Sequence, residues 1–140
     1  MTSHLLNPAT QLYKHEAKKV LLIEDNDVNR MLLCDYLVYC GYNVKSLSNG
    51  NAFFSTIENF LPDLMLLDLK LPGVDGYWLL EQIQQHSDLA KIPIIVVSAF
   101  AFKAEKERAM NLGVRSYFVK PINLIHLTKA IQEELACCCI

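Results

Sequence analysis

The sequence predicts one α/β domain, a (βα)5 arrangement in which helices cover both faces of a parallel five-stranded sheet. Two patterns carry this prediction. From Lys19 onward, five short apolar runs alternate with segments of helical periodicity. Four of the runs are continuously apolar, as strands buried on both faces of a parallel sheet usually are. The length of 140 residues suits a single domain.

The second apolar run differs from the others, because apolar and polar residues alternate along it. Alternation indicates a strand with one solvated face, so we expect the second strand at an edge of the sheet. The other four runs are expected to be buried on both faces. The predicted strands are residues 20–23, 42–47, 64–67, 94–97 and 117–119.

The segments between the strands show helical spacing, most clearly in the last one, where Leu124, Leu127, Ile131 and Leu135 form one apolar stripe. The fourth helix has the weakest amphipathic pattern. Glycines follow the first and fourth helices, where a left-handed residue commonly ends a helix. The predicted helices are residues 27–40, 51–60, 77–85, 103–112 and 123–135, and the glycines are Gly41 and Gly113.

The pattern also divides the chain. Residues 1–18 show no sustained period and are predicted to be a loose leader, residues 19–135 form the domain, and residues 136–140 form a Cys-rich tail. With no output domain after residue 135, we expect a stand-alone protein that acts by docking.

Composition excludes several classes of function. The net charge is −2 and the basic residues are scattered, so we expect no nucleic-acid partner. No apolar stretch approaches the roughly 18 residues of a membrane span, and no export signal is present, so we expect a cytoplasmic protein. The five cysteines lack the spacing of a zinc site or a disulfide framework, which favours reduced thiols.

Polar side chains follow four of the predicted strands. Glu24 and Asp25 follow the first strand, Asp68 the third, Ser98 the fourth and Lys120 the fifth. Taken singly, each could serve a helix end, a turn or the solvated surface. Open α/β sheets bind ligands beyond the carboxyl ends of their strands, so we expect these residues to form one site.

Three clustered carboxylates repel one another unless a proton or a cation neutralises them. An all-oxygen site suits Mg²⁺, which often bridges carboxylates to phosphate. Lys120 adds a positive charge and Ser98 a hydrogen-bond donor beside the same space. Asp68, at the centre, could itself be the nucleophile, because carboxylates form aspartyl phosphates.

Four segments in this order resemble the receiver domain of two-component response regulators, a CheY-like family, over about residues 19–135. The resemblance implies a flavodoxin-like sheet with strand order 2-1-3-4-5. It also implies a cis peptide bond between Lys120 and Pro121. The matching segments are LLIEDN at 21–26, LLDLKLPGVDG at 66–76, VVSA at 96–99 and YFVKP at 117–121.

The resemblance implies a role for each residue of the expected site. Asp68 would accept a phosphoryl group, and Lys120 and Ser98 would contact its oxygens. Ser98 and Tyr117 would form the switch that reports phosphorylation. The Mg²⁺ ligands would be Glu24, Asp25, Asp68 and the main-chain carbonyl of Lys70.

The resemblance also implies the partners: a sensor histidine kinase or histidine phosphotransfer protein as donor, and a downstream protein as target. The surface of the fourth helix, fifth strand and fifth helix would report the change and could support a homodimer. Beyond catalysing its own phosphorylation and dephosphorylation, the protein would not be an enzyme.

Two alternatives remain open. One is an Mg²⁺-dependent phosphatase with an aspartate nucleophile, although such enzymes place a second aspartate where Lys70 stands. The other is a receiver-like interaction module that accepts no phosphate, although such a module would normally lack an acid or the lysine.

Overall fold

A computed structural model describes residues 17–136, which form a five-stranded parallel sheet with helices on both faces. The strand order is β2-β1-β3-β4-β5, so the order reverses between β1 and β3. Both the doubly wound architecture and the strand order are confirmed. The strands are β1 (Lys19–Ile23), β2 (Asn43–Leu47), β3 (Leu64–Leu67), β4 (Ile94–Ser98) and β5 (Ser116–Val119).

Five α-helices alternate with these strands, as predicted. Their bounds differ from the predicted ones by no more than two residues, the largest difference being at the start of α2. A short hairpin, Lys70–Leu71 paired with Val74–Asp75, follows β3, and a 3₁₀ turn occupies Leu89–Lys91. The helices are α1 (Asp27–Tyr39), α2 (Phe53–Phe60), α3 (Gly76–Gln85), α4 (Lys103–Asn111) and α5 (Leu124–Ala136).

Two hydrophobic cores lie on opposite faces of the sheet. Alternate residues of each central strand point to opposite faces, so Leu66 packs in the core beneath α1 and α5, while Leu67 packs in the core beneath α2, α3 and α4. β3 is buried along its whole length. The central strands therefore hold their carboxyl ends in fixed positions.

The fifth strand departs from its prediction. It was expected to be buried on both faces, but Ser116, Tyr117 and Phe118 are half-buried and Val119 is 41% exposed. The physical reason is its place in the order, since β5 pairs with β4 alone and forms an edge. β2 forms the other edge, as its alternating sequence predicted.

Several turns depend on glycine. Gly41 and Gly113 follow α1 and α4 with φ of 100° and 91°, which confirms their predicted left-handed conformation. Gly76 is required for a different reason: a Cβ atom there would lie 2.5 Å from the carbonyl oxygen of Leu69. That close approach brings the start of α3 against the residue that follows Asp68.

The ends of the chain lie mostly outside the described residues. The predicted leader (1–18) and tail (136–140) are described only at residues 17, 18 and 136. Within residues 17–136, no helix is long and apolar enough to span a bilayer. Cys34 and Cys40 are free thiols.

Candidate functional site

Five predicted site residues lie at the carboxyl edge of the sheet. Glu24 and Asp25 follow β1, Asp68 follows β3, Ser98 ends β4 and Lys120 follows β5. Glu24, Asp25 and Asp68 each place a carboxylate oxygen within 4.8 Å of the others. Residues up to 96 positions apart in the chain thus meet because parallel strands end at a common edge (120 − 24 = 96).

Lys120 connects two of the acids. Its Nζ lies 2.6 Å from Oε1 of Glu24 and 2.8 Å from Oδ2 of Asp68. Both acids are almost completely buried, with 1% and 4% exposure, whereas Asp25 is exposed. The lysine therefore compensates part of the charge buried at the edge, and Asp25 faces solvent.

Electrostatics within the site depend on burial and on this lysine. Burial raises the pKa of Glu24, and the charge of Asp68 adds to the effect, while hydrogen bonds from Lys120 and the Asn26 amide oppose it. Burial alone would lower the pKa of Lys120, but hydrogen bonds to Asp68 and Glu24 outweigh it, and that pKa is raised. Lys120 therefore remains a cation at neutral pH.

The start of α1 holds Glu24 in place. The Asn26 amide donates to Oε2 of Glu24 at 3.1 Å, and the Arg30 guanidinium donates to the Glu24 carbonyl oxygen at 2.9 Å. Arg30 also pairs with Asp27 at 2.6 Å. The contact of Arg30 with Glu24 was not predicted from the sequence. The only indication in the sequence was that Arg30 lies on the first turn of the helix that follows Glu24 and Asp25.

Asp68 is oriented by backbone groups on both sides. Its own amide donates to the Ile23 carbonyl oxygen of β1 at 3.0 Å, and its Oδ1 accepts from the Lys70 amide at 3.0 Å. Lys70 begins the short hairpin and is exposed. The predicted role of the Lys70 carbonyl as a metal ligand stays a prediction.

Ser98 and Tyr117 meet at the loop after β4. The Ser98 hydroxyl, completely buried, accepts from the Phe100 amide at 3.1 Å, and the Tyr117 hydroxyl donates to the Phe100 carbonyl oxygen at 2.8 Å. Burial raises the pKa of Tyr117. The Phe100 peptide groups therefore join the two residues, whose switching role stays a prediction.

Lys120 is followed by a cis peptide bond to Pro121, which confirms the bond that the resemblance implied. The Lys120 amide donates to the Ser98 carbonyl oxygen at 2.8 Å. The end of β5 is thereby fastened to the end of β4, with the Lys120 ammonium directed to the acids.

Chemically, the described site combines three carboxylates, one ammonium and one hydroxyl. The carboxylates are hard oxygen donors with a net excess of negative charge, which suits a divalent cation such as Mg²⁺. A nucleophilic carboxylate beside a fixed ammonium also suits the transfer of an anionic group.

Known proteins with similar sequences are response regulators. The polar-differentiation response regulator DivK of Brucella anthropi is 33% identical over 118 residues, which cover 84% of this chain and 96% of that relative. DivK of Brucella ovis is 32% identical over the same shares of the two chains.

Solved structures give the same result. A CheY-like response regulator receiver domain protein from Methanospirillum hungatei aligns with a TM-score of 0.78 and 28% identity, over 86% of this chain and 94% of that one. The receiver domain of a sensor histidine kinase from Pseudomonas aeruginosa also aligns with a TM-score of 0.78 and 28% identity, over 86% and 98% of the two chains. That structure carries a magnesium ion coordinated in its active-site cleft.

The family model of the response regulator receiver domain matches residues 20–132. Its members are signalling switches rather than enzymes in the ordinary sense, bind Mg²⁺ in an acidic site, and interact with histidine kinases or phosphotransfer proteins and with downstream targets. The chain therefore belongs to the response regulator receiver domain family, the phosphorylation-dependent signalling switches of two-component systems.

Proposed function

We propose that Asp68 accepts a phosphoryl group from a phosphohistidine on a partner protein, and that this modification changes the docking surface of the domain. One observation carries the proposal: the Lys120 ammonium contacts buried acids from two strands, Glu24 and Asp68, with Asp25 beside them. Such a site presents a nucleophile, a cation site and a fixed positive charge in one place.

The transfer step is a displacement at phosphorus. A carboxylate oxygen of Asp68 attacks the phosphorus of the phosphohistidine, and the new P–O bond forms as the P–N bond breaks. The imidazole leaves with the electron pair of that bond and takes up a proton from solvent. Lys120 stabilises charge on the phosphoryl oxygens, as a preorganised cation does in phosphoryl transfer. Water later attacks the phosphorus of the acyl phosphate, the P–O bond to Asp68 breaks, and inorganic phosphate leaves as the carboxylate is restored.

Mg²⁺ is the proposed cofactor. Glu24, Asp25 and Asp68, with the main-chain carbonyl of Lys70, would hold it, because this set consists of the oxygen donors that the ion prefers. When bound, the ion would offset the repulsion between the acids and the incoming phosphate. The magnesium in the related Pseudomonas aeruginosa structure supports this assignment.

The proposed donor is a sensor histidine kinase or histidine phosphotransfer protein that docks beside the site. A groove of about 810 Å³ runs between α1 and the start of α5 and reaches Lys120. Leu32 and Tyr39 line it and are 62% and 87% exposed. An apolar groove of this kind suits a partner helix, which would bring its phosphohistidine to the carboxyl edge of the sheet.

The proposed output follows from Ser98 and Tyr117. A phosphoryl group on Asp68 would draw the Ser98 hydroxyl toward it, and the Tyr117 ring would move inward as the loop between them shifts. The surface formed by α4, β5 and α5 would change and bind a downstream protein or a second copy of the chain. We place this signalling in the cytoplasm, where phosphohistidine donors and targets would meet the domain.

The test is incubation of the protein with acetyl phosphate and Mg²⁺, read by intact mass. We expect one phosphoryl adduct in the wild type and in Asp75→Asn, a matched change in the same loop, and no adduct in Asp68→Asn. EDTA should abolish the reaction. An adduct that persists in Asp68→Asn would contradict the proposal.

Two other outcomes would favour the alternatives. Protein that takes up no phosphoryl group and binds no Mg²⁺ would indicate a receiver-like interaction module. Continuous turnover of a phosphate monoester would indicate an aspartate-nucleophile phosphatase.

A further inference from the structure

Helix α4 is held in place by few contacts. Ala109 is its one buried residue among the described positions, and no side chain caps its N-terminus. Its one intrahelical ion pair, between Lys103 and Glu107, is 3.6 Å long and exposed, so it contributes little to stability. A helix with so few buried contacts shifts at low cost.

Tyr77, on the first turn of α3, makes two contacts with this helix. Its hydroxyl donates to the carbonyl oxygen of Glu105 at 3.0 Å, and the Arg108 guanidinium lies over its ring, 4.0 Å from the centroid. Tyr77 itself is 6% exposed and packs in the core beneath α2, α3 and α4. Burial raises its pKa, so the hydroxyl stays a hydrogen-bond donor at neutral pH.

The same part of α4 carries an unfavourable group. The Glu105 carboxylate oxygen Oε2 is buried and has no hydrogen-bond partner within residues 17–136. A buried acceptor without a partner costs free energy. The observed position of α4 is therefore stabilised by its contacts with Tyr77 and destabilised by the Glu105 carboxylate.

The backbone between Phe100 and Glu105 connects this contact to the site. Ser98 accepts from the amide of Phe100, and the carbonyl of Phe100 accepts from Tyr117. Five residues further on, Glu105 accepts from Tyr77. The segment from Ser98 to Glu105 is thus fastened at both ends, and movement of the Ser98 hydroxyl toward Asp68 would strain the contact with Tyr77.

We propose that Tyr77 is a positioning residue that fastens α4 in the unphosphorylated arrangement, through the Glu105 carbonyl and Arg108, and so opposes the shift that follows phosphorylation. The inference rests on the proposed function, because it concerns the same switch. Loss of the Tyr77 hydroxyl should lower the cost of the shift, and a ligand that requires the shifted state then binds more tightly.

The test uses Tyr77→Phe, which removes the hydroxyl and keeps the ring. The matched control is Tyr42→Phe, which removes the hydroxyl of a half-buried tyrosine packed against the core on the opposite face of the sheet. Beryllofluoride with Mg²⁺ serves as the phosphoryl mimic, and its affinity is measured by calorimetry. Amide hydrogen exchange over residues 103–111 reports on α4.

We expect Tyr77→Phe to bind beryllofluoride about two- to tenfold more tightly than the wild type, the factor that corresponds to one net hydrogen bond. Exchange in α4 should become faster in the protein without beryllofluoride, and Tyr42→Phe should match the wild type in both measurements. Unchanged affinity in Tyr77→Phe would overturn the inference, even if the variant melted at a lower temperature, because a purely structural role predicts that result. Absence of beryllofluoride binding in the wild type would instead contradict the proposed function.

Discussion

Glu24 is buried more completely than Asp68 and Asp25, and its pKa is raised above the ordinary value of 4.5 by burial, with a contribution from Asp68. The folded protein therefore binds this proton more tightly than the unfolded chain does. The resulting stability is fully present below pH 4.5 and is lost as the pH rises through the folded-state pKa. Burial of Glu24 thus makes its ionised form costly in stability, as expected for a residue kept for binding.

The Glu24→Gln variant tests this cost in EDTA. The difference in free energy of unfolding between Glu24→Gln and the wild type should shift in favour of the variant as the pH rises from 4 to 8, because only the wild type loses this proton as the pH rises through the folded-state pKa. Urea denaturation at the two pH values measures the difference. An equal difference at both would show that Glu24 carries no such linkage.

Among the individual site residues, the sequence predicted those that directly follow the end of a strand. Asp68 and Lys120 could be placed together because the end of a parallel strand is visible in the sequence. The contacts of Arg30 and Tyr77 could not be predicted in the same way. They depend on the reach of one long side chain and on the packing of α3 against α4, which no local pattern records.

Helix α1 carries two apolar stripes. Leu33 and Leu37 face the core, while Val28, Leu32 and Tyr39 lie on the outer side with more than 60% exposure. A helix that is apolar on both sides is usually covered on both sides. The outer stripe of α1 is the surface on which we expect a phosphohistidine partner to dock.

Leu32→Asp tests that docking surface. Leu61→Asp is the matched control, since Leu61 is 64% exposed at the end of α2, outside the groove. We expect phosphotransfer from a histidine phosphotransfer protein to slow by about tenfold in Leu32→Asp, in line with loss of one anchoring contact of about 1 kcal/mol or more. Phosphorylation by acetyl phosphate should be unchanged in both variants, and a similar loss with acetyl phosphate would contradict a docking role.

The hairpin after Asp68 depends on Gly76 at the start of α3. A Cβ atom there would lie 2.6 Å from the Cα of Leu69, a contact that backbone atoms cannot relieve without a shift. We expect Gly76→Ala to lower the free energy of unfolding by about 1–3 kcal/mol, the usual cost of overpacking. Gln84→Ala, an exposed change in the same helix, should stay within about 0.5 kcal/mol of the wild type. Chemical denaturation measures both, and a neutral Gly76→Ala would show that the hairpin yields easily.

The bounds of helices and strands could be predicted closely from periodicity, because apolar runs and helical stripes are local features. The burial of β5 could not be predicted in this way. Its residues Tyr117, Phe118 and Val119 are as apolar as those of a central strand, but its environment depends on which strands pair with it. Sheet order is a property of the whole fold, so the apolar run alone overstated how deeply β5 lies.

In the molecule as a whole, β3 contributes residues to both hydrophobic cores, whereas β5 lies at an edge of the sheet. We expect Leu66→Ala to cost about 2–5 kcal/mol, the range for truncating a buried leucine. Val119→Ala, at a site 41% exposed, should cost less than about 1 kcal/mol. Urea unfolding measures both free energies, and equal costs would contradict the assignment of central and edge strands.

The division of the helices between two faces of the sheet has an evolutionary consequence. α1 and α5 pack on one core, while α4 packs on the other, with the buried central strands between them. Substitutions on well-separated surfaces usually have additive effects. Substitutions on α1 could therefore change which donor the domain recognises without changing the equilibrium between the two positions of α4. After gene duplication, donor recognition and the response to phosphorylation could diverge independently.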